Sequence, residues 1–330
     1  MTDDDGQSAP LRAPMATYRA LEKAKETLLA GGLVAMPTET VYGLAADATN
    51  DQAVARIFEA KGRPQFNPLI VHVTGAEMAK RYAKFSPLAE RLAAEFWPGP
   101  LTLVLPRLPD ANVSLLVSAG LDTLALRAPD SFIAQKLIEA VDRPLAAPSA
   151  NASGTISPTS AAHVRQSLGE KVDFIIDGGA CSVGVESTIL KIEGDDAVLL
   201  RPGGLSRETI EAFIGRKLRS AKAGDKPQAP GMLASHYAPR ARLRLNAGAP
   251  QPGEAFLGFG ATAAAGPYAL NLSEAGDLRE AAANLFAYLR RLDDLCTEHE
   301  LEGIAAAPVP QEGLGEAIND RLNRAAAPQT

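Results

Sequence analysis

Cysteine is almost missing from this chain: 330 residues contain two, Cys181 and Cys296, and no CxxC pair. That excludes a disulfide framework, a zinc knuckle and a cysteine-held iron–sulfur cluster, and leads us to expect a reduced, cytoplasmic setting. Histidine is scarce as well, with four residues and no HExxH pair, so no protein-ligated catalytic metal is expected. No apolar run approaches the roughly 20 residues that a membrane helix needs. The opening stretch, MTDDDG, is acidic and polar where an export signal is basic and then apolar, so the chain is expected to be neither exported nor anchored. Positive charge is not in excess: 33 Lys and Arg against 39 Asp and Glu give a net charge of −6, and aromatic residues make up only 5%. A general electrostatic grip on nucleic acid is thereby disfavoured, and any basic groove must be local. No GxxxxGK[ST] occurs, and no GxGxxG opens a helix after a strand, which disfavours the common nucleotide folds.

What is present is a 46% hydrophobic, 22% charged sequence, enough for a large core in one or two domains. Helical and strand patterns alternate in the first two thirds. Tyr18 to Ala30 is helical and stops at Gly31-Gly32 before the short run Leu33 to Met36. Asp51 to Phe58 and Pro87 to about Trp97 read as capped helices, as does 131–141. Strands are expected at 69–73, 101–105, 124–128, 145–147, 173–176, 187–192 and 197–200. This is an α/β pattern, and the long loops 106–122 and 148–160 leave room for antiparallel pairs, so a mixed sheet is expected. A Pro-, Gly- and Ala-rich stretch around 221–240 reads as an extended connection. Beyond it, apolar runs at 255–259 and 303–306 and helices near 277–292 and 314–326 indicate a smaller α/β domain.

Polar residues collect in loops that follow strands, where α/β sheets hold ligands. Pro37-Thr38-Glu39-Thr40 could hydrogen-bond an amino-acid-sized ligand, or be a capped turn leading into a helix. Lys61-Gly62-Arg63-Pro64 suits a polyphosphate, because Arg forks over oxygens while Lys adds a point charge; a solvated helix end is the plainer reading. His72 lies inside an apolar strand and on its own reads as a core residue. Pro148-Ser149-Ala150-Asn151 through Ser157-Pro158 leaves backbone N–H groups open to an anion, as phosphate-cradling nests do, whereas a Ser/Gly linker would lack the bracketing prolines. Gly184-Val185-Glu186-Ser187-Thr188 and Leu200-Arg201-Pro202-Gly203-Gly204 complete the set, each of them a turn plus a cap if taken singly. Together, five rigid polar loops carrying Lys61, Arg63, Arg127 and Arg201 describe a pocket for a multiply anionic ligand. No GxSxG or SxxK surrounds the serines, so a nucleophilic hydrolase is disfavoured.

The strings PTETVYGL, KGRPQFNPLIVHV, FWPGPLTLVL, LALRAPD, PLAAPSANASGTISPT, GVESTIL and LRPGG follow one another in the order and spacing of the YrdC family. APGMLASHYAP and GLGEAINDRLNRAA continue the resemblance into the long, two-domain threonylcarbamoyl-AMP synthase form, over nearly the whole chain after about residue 17. The resemblance implies a YrdC-like open twisted mixed sheet with helices over residues 17–215, after a disordered acidic tail at 1–16. It further implies a linker or lid at 216–240 and a Rossmann-like domain at 241–330. It implies a reaction in which L-threonine, bicarbonate or carbon dioxide and ATP give threonylcarbamoyl-AMP and pyrophosphate, feeding the threonylcarbamoylation of tRNA by a downstream transfer machinery. By the family pattern Lys61 and Arg63 would be catalytic. Threonine would be held by Thr40, His72, Arg127, Ala147 and Ser187, and ATP by Arg63, Asn67, Thr123, Ser149, Ser157, Arg201, His236 and Tyr237. Magnesium is expected through the ATP phosphates alone, and tight direct tRNA binding is not expected.

Two rival readings follow from the same residues. A non-catalytic RNA- or ribosome-binding protein of this fold is disfavoured by the net charge and the few aromatic rings. The carbamoyltransferase of hydrogenase maturation contains a related domain together with zinc-binding cysteine pairs, which this chain lacks.

Overall fold

The computed structural model describes residues 15–221, 236–261 and 266–328. The first unit opens with α1 (Met15–Leu29), whose Leu21, Ala24 and Leu28 are buried, followed by β1 (Val34–Met36) and β2 (Gly43–Asp47). Asn50 caps α2 (Asp51–Lys61) through its side-chain oxygen, and left-handed Gly62 ends it; β3 (Ile70–His72) and the single turn α3 (Ala76–Ala79) come next. Ser86 and Pro87 start α4 (Pro87–Phe96), which leads through β4 (Leu101–Pro106) and α5 (Leu115–Ser118) to β5 (Thr123–Arg127) and α6 (Phe132–Val141). The unit continues with β6 (Leu145–Ala146), α7 (Ala161–Leu168), β7 (Phe174–Ile175), β8 (Thr188–Glu193), β9 (Asp196–Arg201), α8 (Arg207–Ile214) and β10 (Arg219–Ser220).

These strands form one ten-stranded sheet in the order β10-β9-β8-β4-β5-β3-β6-β2-β1-β7. It is mixed, as expected: β3 runs parallel to β5 and β4 to β8, while β4 is antiparallel to β5 and β2 antiparallel to both β1 and β6. The acidic tail expected at 1–16 is shortened, because Met15 and Ala16 already belong to α1; residues 1–14 lie outside the described residues. The first unit also runs past the expected end at 215, since β10 pairs with β9. The Thr38 turn does not lead into a helix. It reverses the chain into β2, so that β1 and β2 form a hairpin.

The second unit is a four-stranded, wholly parallel sheet ordered β11-β14-β12-β13, built from β11 (Arg242–Arg244), β12 (Glu254–Gly258), β13 (Ala269–Asn271) and β14 (Gly303–Ala306). Between β13 and β14 runs α9 (Leu278–Glu298), capped by Asp277 and longer than the expected 277–292 because Leu295 and Cys296 extend its buried stripe; α10 (Gly315–Ala326) follows β14. The expected α/β domain is thus present with its sheet parallel.

Alternation within the strands decides where a ligand can lie. Val71, Leu124, Leu126, Leu103 and Leu190 enter the main core beneath the helices, whereas Ile70, Ala125, Val104 and Ile189 form a small apolar cluster on the opposite face. Period two therefore puts His72 beside Ile70 and Arg127 beside Ala125 on that second face, and the register sets His72 directly against Arg127. This face is closed by loops and by the second unit. Val41, Ile156, Val185 and Tyr237 share one apolar cluster with Leu285, Phe286 and Ile318, so the two units are packed through a common core.

The two units approach closely at Gly184. Its φ is +76°, and a Cβ there would lie 2.4 Å from the carbonyl oxygen of Ala282 and from Cα of Ala283 in α9. Gly184→Ala is expected to cost roughly 2–5 kcal/mol, combining left-handed strain with overpacking against backbone. Gly194→Ala, where φ is +64° and nothing lies within 4 Å, should cost only about 1–2 kcal/mol from the backbone term. Urea unfolding of the two variants checks the difference; equal losses would contradict the close interface.

Candidate functional site

A cavity lies on the second face of the large sheet, lined by Thr38, Thr40, Arg63, Ile70, His72, Arg127, Ala147, Ser149, Ser187, Arg201 and, from the connecting segment, His236 and Tyr237. Five separate loops and the connection thus converge. They are pinned to each other by backbone pairing: Tyr42 N–H donates to the Pro158 carbonyl, Ala150 N–H to Tyr42, and Leu44 N–H to Pro148. The Thr38 hydroxyl accepts from the Thr40 and Val41 amides and donates to the Val41 carbonyl, which fixes the turn that presents Thr40.

At one end of the cavity stands Arg127, 3% exposed. Its Nε donates to the Gly99 carbonyl at 3.2 Å, Nη1 to Thr40 Oγ1 at 2.9 Å, and Nη2 to Glu39 Oε1. These bonds take three of the five donors of a guanidinium and leave one N–H on each of Nη1 and Nη2, beside Thr40 and His72. His72 is buried with no hydrogen-bond partner on Nδ1. Burial and then the neighbouring Arg127 charge push its imidazole down to about 3, so it stands neutral beside the arginine. The Ser187 hydroxyl is held at 2.7 Å from Thr102 Oγ1, a partner that period two brings to the same face of β4.

At the other end positive charge accumulates. Arg63 is anchored by Nε to the Asn67 carbonyl and by Nη2 to the Pro68 carbonyl, the two residues that its own proline-stiffened loop delivers. Burial, chiefly, with Arg201 nearby, draws its guanidinium down to about 10 against an opposing pull from Tyr237. Arg201 Nη2 donates to the Ser187 carbonyl at 2.8 Å. Glu186 is the carboxylate set among them. Burial alone would raise it, but Arg321 and Arg201, with the Ser157 hydroxyl at 2.6 Å, hold it down to about 2.

Lys61 sits differently from what its sequence position suggests. It is 4% exposed and does not line the cavity; its Nζ donates to the carbonyls of Ser149 (2.6 Å) and Asn151, while its own carbonyl accepts from the Ser153 amide. It clasps the 149–153 loop from behind. Burial and Arg63 both lower its ammonium well below the usual lysine range. Asn67 likewise stands behind Arg63 with a buried, unpartnered Oδ1. Ser157 reaches the cavity through Glu186. Thr123 lies at the far end of β5, outside the cavity wall; it shares the face of Ala125 and Arg127, about 13 Å from Arg127 by strand rise.

His236 and Tyr237 close the cavity. Tyr237 is 1% exposed at a φ of +63°, and its hydroxyl and His236 Nδ1 are both buried without partners. The remaining linker residues, 222–235, lie outside the described residues.

Comparison with known proteins agrees with this geometry. The family model described as Telomere recombination (Sua5/YciO/YrdC) matches residues 26–203, and one described as the threonylcarbamoyl-AMP synthase C-terminal domain matches 205–327. The Pyrococcus abyssi threonylcarbamoyl-AMP synthase is 45% identical over 89% of this chain and 90% of its own length, and the Bacillus subtilis one is 42% identical over 93% and 92%. A crystal structure of P. abyssi Sua5 complexed with L-threonine matches with a TM-score of 0.86 at 42% identity, covering 96% of both chains. The chain belongs to the Sua5/YciO/YrdC family.

Within this family frame, the structure adds residues that sequence reasoning did not select: Glu39 behind Arg127, Thr102 behind Ser187, Asn151 in the loop gripped by Lys61, and Glu186 with Arg321. Glu39, Asn151 and Glu186 stood in the polar loops already singled out; Thr102 and Arg321 lie in the strings FWPGPLTLVL and GLGEAINDRLNRAA, with no polar cluster around them to mark a role.

The buried histidines set an acid limit. Burial pushes His236 to about 3, reinforced by Arg63, Lys61 and Arg201 against the opposite pull of Glu186. Unfolded histidines bind a proton near 6.5, whereas His72 and His236 refuse one until about 3. Between those values the unfolded state binds more protons, so stability is complete above pH 6.5 and falls as the pH drops, by up to ~1.4 kcal/mol per pH unit for each residue. Tm is expected to be level between pH 7 and 8 and to decline below about 6.5; a Tm unchanged down to pH 5 would contradict neutral burial.

Proposed function

We propose that this chain is a threonylcarbamoyl-AMP synthase, joining L-threonine, bicarbonate or carbon dioxide, and ATP into threonylcarbamoyl-AMP with release of pyrophosphate. The observation that carries the reading is one cavity with two unlike ends: a hydroxyl-lined end where Arg127 is balanced by Glu39, and a cationic end formed by Arg63 and Arg201. The first suits the carboxylate and hydroxyl of threonine, with Thr40, His72, Ala147 and Ser187 around it. The second suits a triphosphate. The apolar cluster of Ile70, Val104, Ala125 and Ile189 gives the base a bed along β5 toward Thr123.

The threonine amine condenses with bicarbonate to a carbamate, losing water. A carbamate oxygen then attacks the α-phosphorus, the bond to the β-phosphate breaks, and pyrophosphate leaves. This chemistry asks for alignment and charge neutralisation rather than a covalent protein intermediate. Arg63 and Arg201 meet the phosphates, Lys61 keeps the 149–153 loop and its amides in place, and neutral His72 adds no competing charge beside Arg127. Among the described residues no group of three His, Cys, Asp or Glu stands ready for a metal, and Glu186 already uses both oxygens on Ser157 and Arg321. Magnesium would therefore arrive on the ATP phosphates as part of the substrate.

The product is a mixed anhydride, which suits it to acyl transfer; tRNA as the acceptor, separate downstream machinery and a cytoplasmic setting are what the family resemblance implies. Among the described residues no helix is long and apolar enough to cross a membrane. An RNA-binding role is less well supported, because the cations are buried inside the cavity rather than spread along a groove.

Pyrophosphate release from ATP is expected to require both L-threonine and bicarbonate; release indifferent to threonine would contradict the assignment. Arg63→Ala should lower the rate roughly ten- to a thousandfold with intact circular dichroism, and Lys61→Ala should lower it by releasing the 149–153 loop. Arg127→Lys keeps the charge and loses the fork, so calorimetric titration should show threonine weakened by about tenfold or more while ATP changes little. Equal losses for the two ligands would assign Arg127 elsewhere.

A further inference from the structure

Arg321 belongs to α10 of the second unit, yet most of its bonds are to the first. It is 1% exposed. Nε donates to Glu186 Oε2 at 2.8 Å, Nη1 to the Pro202 carbonyl at 2.9 Å and to its neighbour Asp320, and the guanidinium carbon lies 5.3 Å from the centre of the Tyr237 ring. Nη2 is buried with no partner. Apart from Asp320, each contact lines or adjoins the cavity. Glu186 lines it, precedes Ser187 and accepts from the Ser157 hydroxyl on its other oxygen; Pro202 follows Arg201; Tyr237 is itself the closing residue.

We propose that Arg321 is a positioning residue for the nucleotide half of the site, through which the docked second domain sets Glu186, the Arg201-Pro202 turn and the Tyr237 ring in one fixed arrangement. A fully buried ion pair is poor glue, because desolvation offsets most of its attraction, and the two units already share an apolar core. What the pair supplies is orientation. Without Arg321, Glu186 would remain a buried carboxylate among cations with one neutral donor, free to capture Arg201 or Arg63 and withdraw it from phosphate. At the threonine end, Arg127 is held by Gly99, Thr40 and Glu39 and His72 by its register with Arg127, so threonine binding should register the loss of Arg321 far less than ATP binding. The inference rests on the synthase reading.

The full-length protein is tested with Arg321→Met, Arg321→Lys and the double variant Arg321→Met with Glu186→Gln, measuring KM for ATP, KM for threonine, kcat and Tm. Arg321→Met should raise KM for ATP by about tenfold or more while KM for threonine stays within about twofold. Arg321→Lys should recover part of the loss, and adding Glu186→Gln should relieve it further by removing the stranded charge. If Arg321→Met does not fold, Arg321→Lys carries the comparison with the same direction of split. Both KM values rising together with a fall in Tm, or neither changing, would overturn the proposal. Calorimetry with ATP separates the two claims. If the unaltered protein releases no threonine-dependent pyrophosphate, the synthase reading fails; if the unaltered protein and Arg321→Met bind ATP equally, the positioning role fails.

Discussion

Positive charge buried without an equal share of carboxylates is the constraint around which this structure is arranged. Arg63, Arg201 and Lys61 lie at 8%, 3% and 4% exposure, and Arg321 joins them from the other domain, with Glu186 set among them. Cations removed from water are tolerated only where hydrogen bonds and counter-charge hold them. Here the protein answers with backbone carbonyls: Asn67 and Pro68 for Arg63, Ser187 for Arg201, Ser149 and Asn151 for Lys61. The proline-stiffened loops therefore have a physical task, to aim carbonyl oxygens at buried cations.

The sheet supplies the second half of the arrangement. Two short parallel strands, β3 and β5, place His72 and Arg127 side by side on the face away from the helices, and the β1–β2 turn brings Thr40 and Glu39 to the same guanidinium. Because Arg127 is already held on three sides, its guanidinium is oriented before any ligand arrives, which lowers the entropic cost of recognition. Neutral His72 keeps that end from becoming a second cationic well, and so separates an amino-acid site from a phosphate site within one cavity.

Much of this was legible in the sequence because the five loops carry their chemistry in contiguous strings. Loops after strands with Thr, Lys-Gly-Arg, Ser-Ala-Asn, Glu-Ser-Thr and Arg-Pro-Gly had to converge if the strands formed one sheet. The hairpin of β1 and β2 was missed at its second strand, because Gly43–Asp47 is a run of mostly small residues buried throughout, without the alternation that marks a strand. The clasp of Lys61 on the 149–153 loop spans 88 residues to Ser149, and the grip of Arg321 on Glu186 spans 135; nothing in either residue's neighbourhood encodes a partner so distant. His72, which its own strand marks as ordinary core, became a cavity residue only through its register with Arg127.

The central claim is that the two ends of the cavity act on one molecule assembled between them. Supplying carbon-13 bicarbonate with L-threonine and ATP, and analysing the nucleotide products by mass spectrometry and phosphorus NMR, tests it directly. The account predicts a labelled adenylate in which the carbon-13 joins the threonine nitrogen to the α-phosphate, formed in step with pyrophosphate. Label absent from the adenylate, or an adenylate carrying threonine through its own carboxylate, would contradict it.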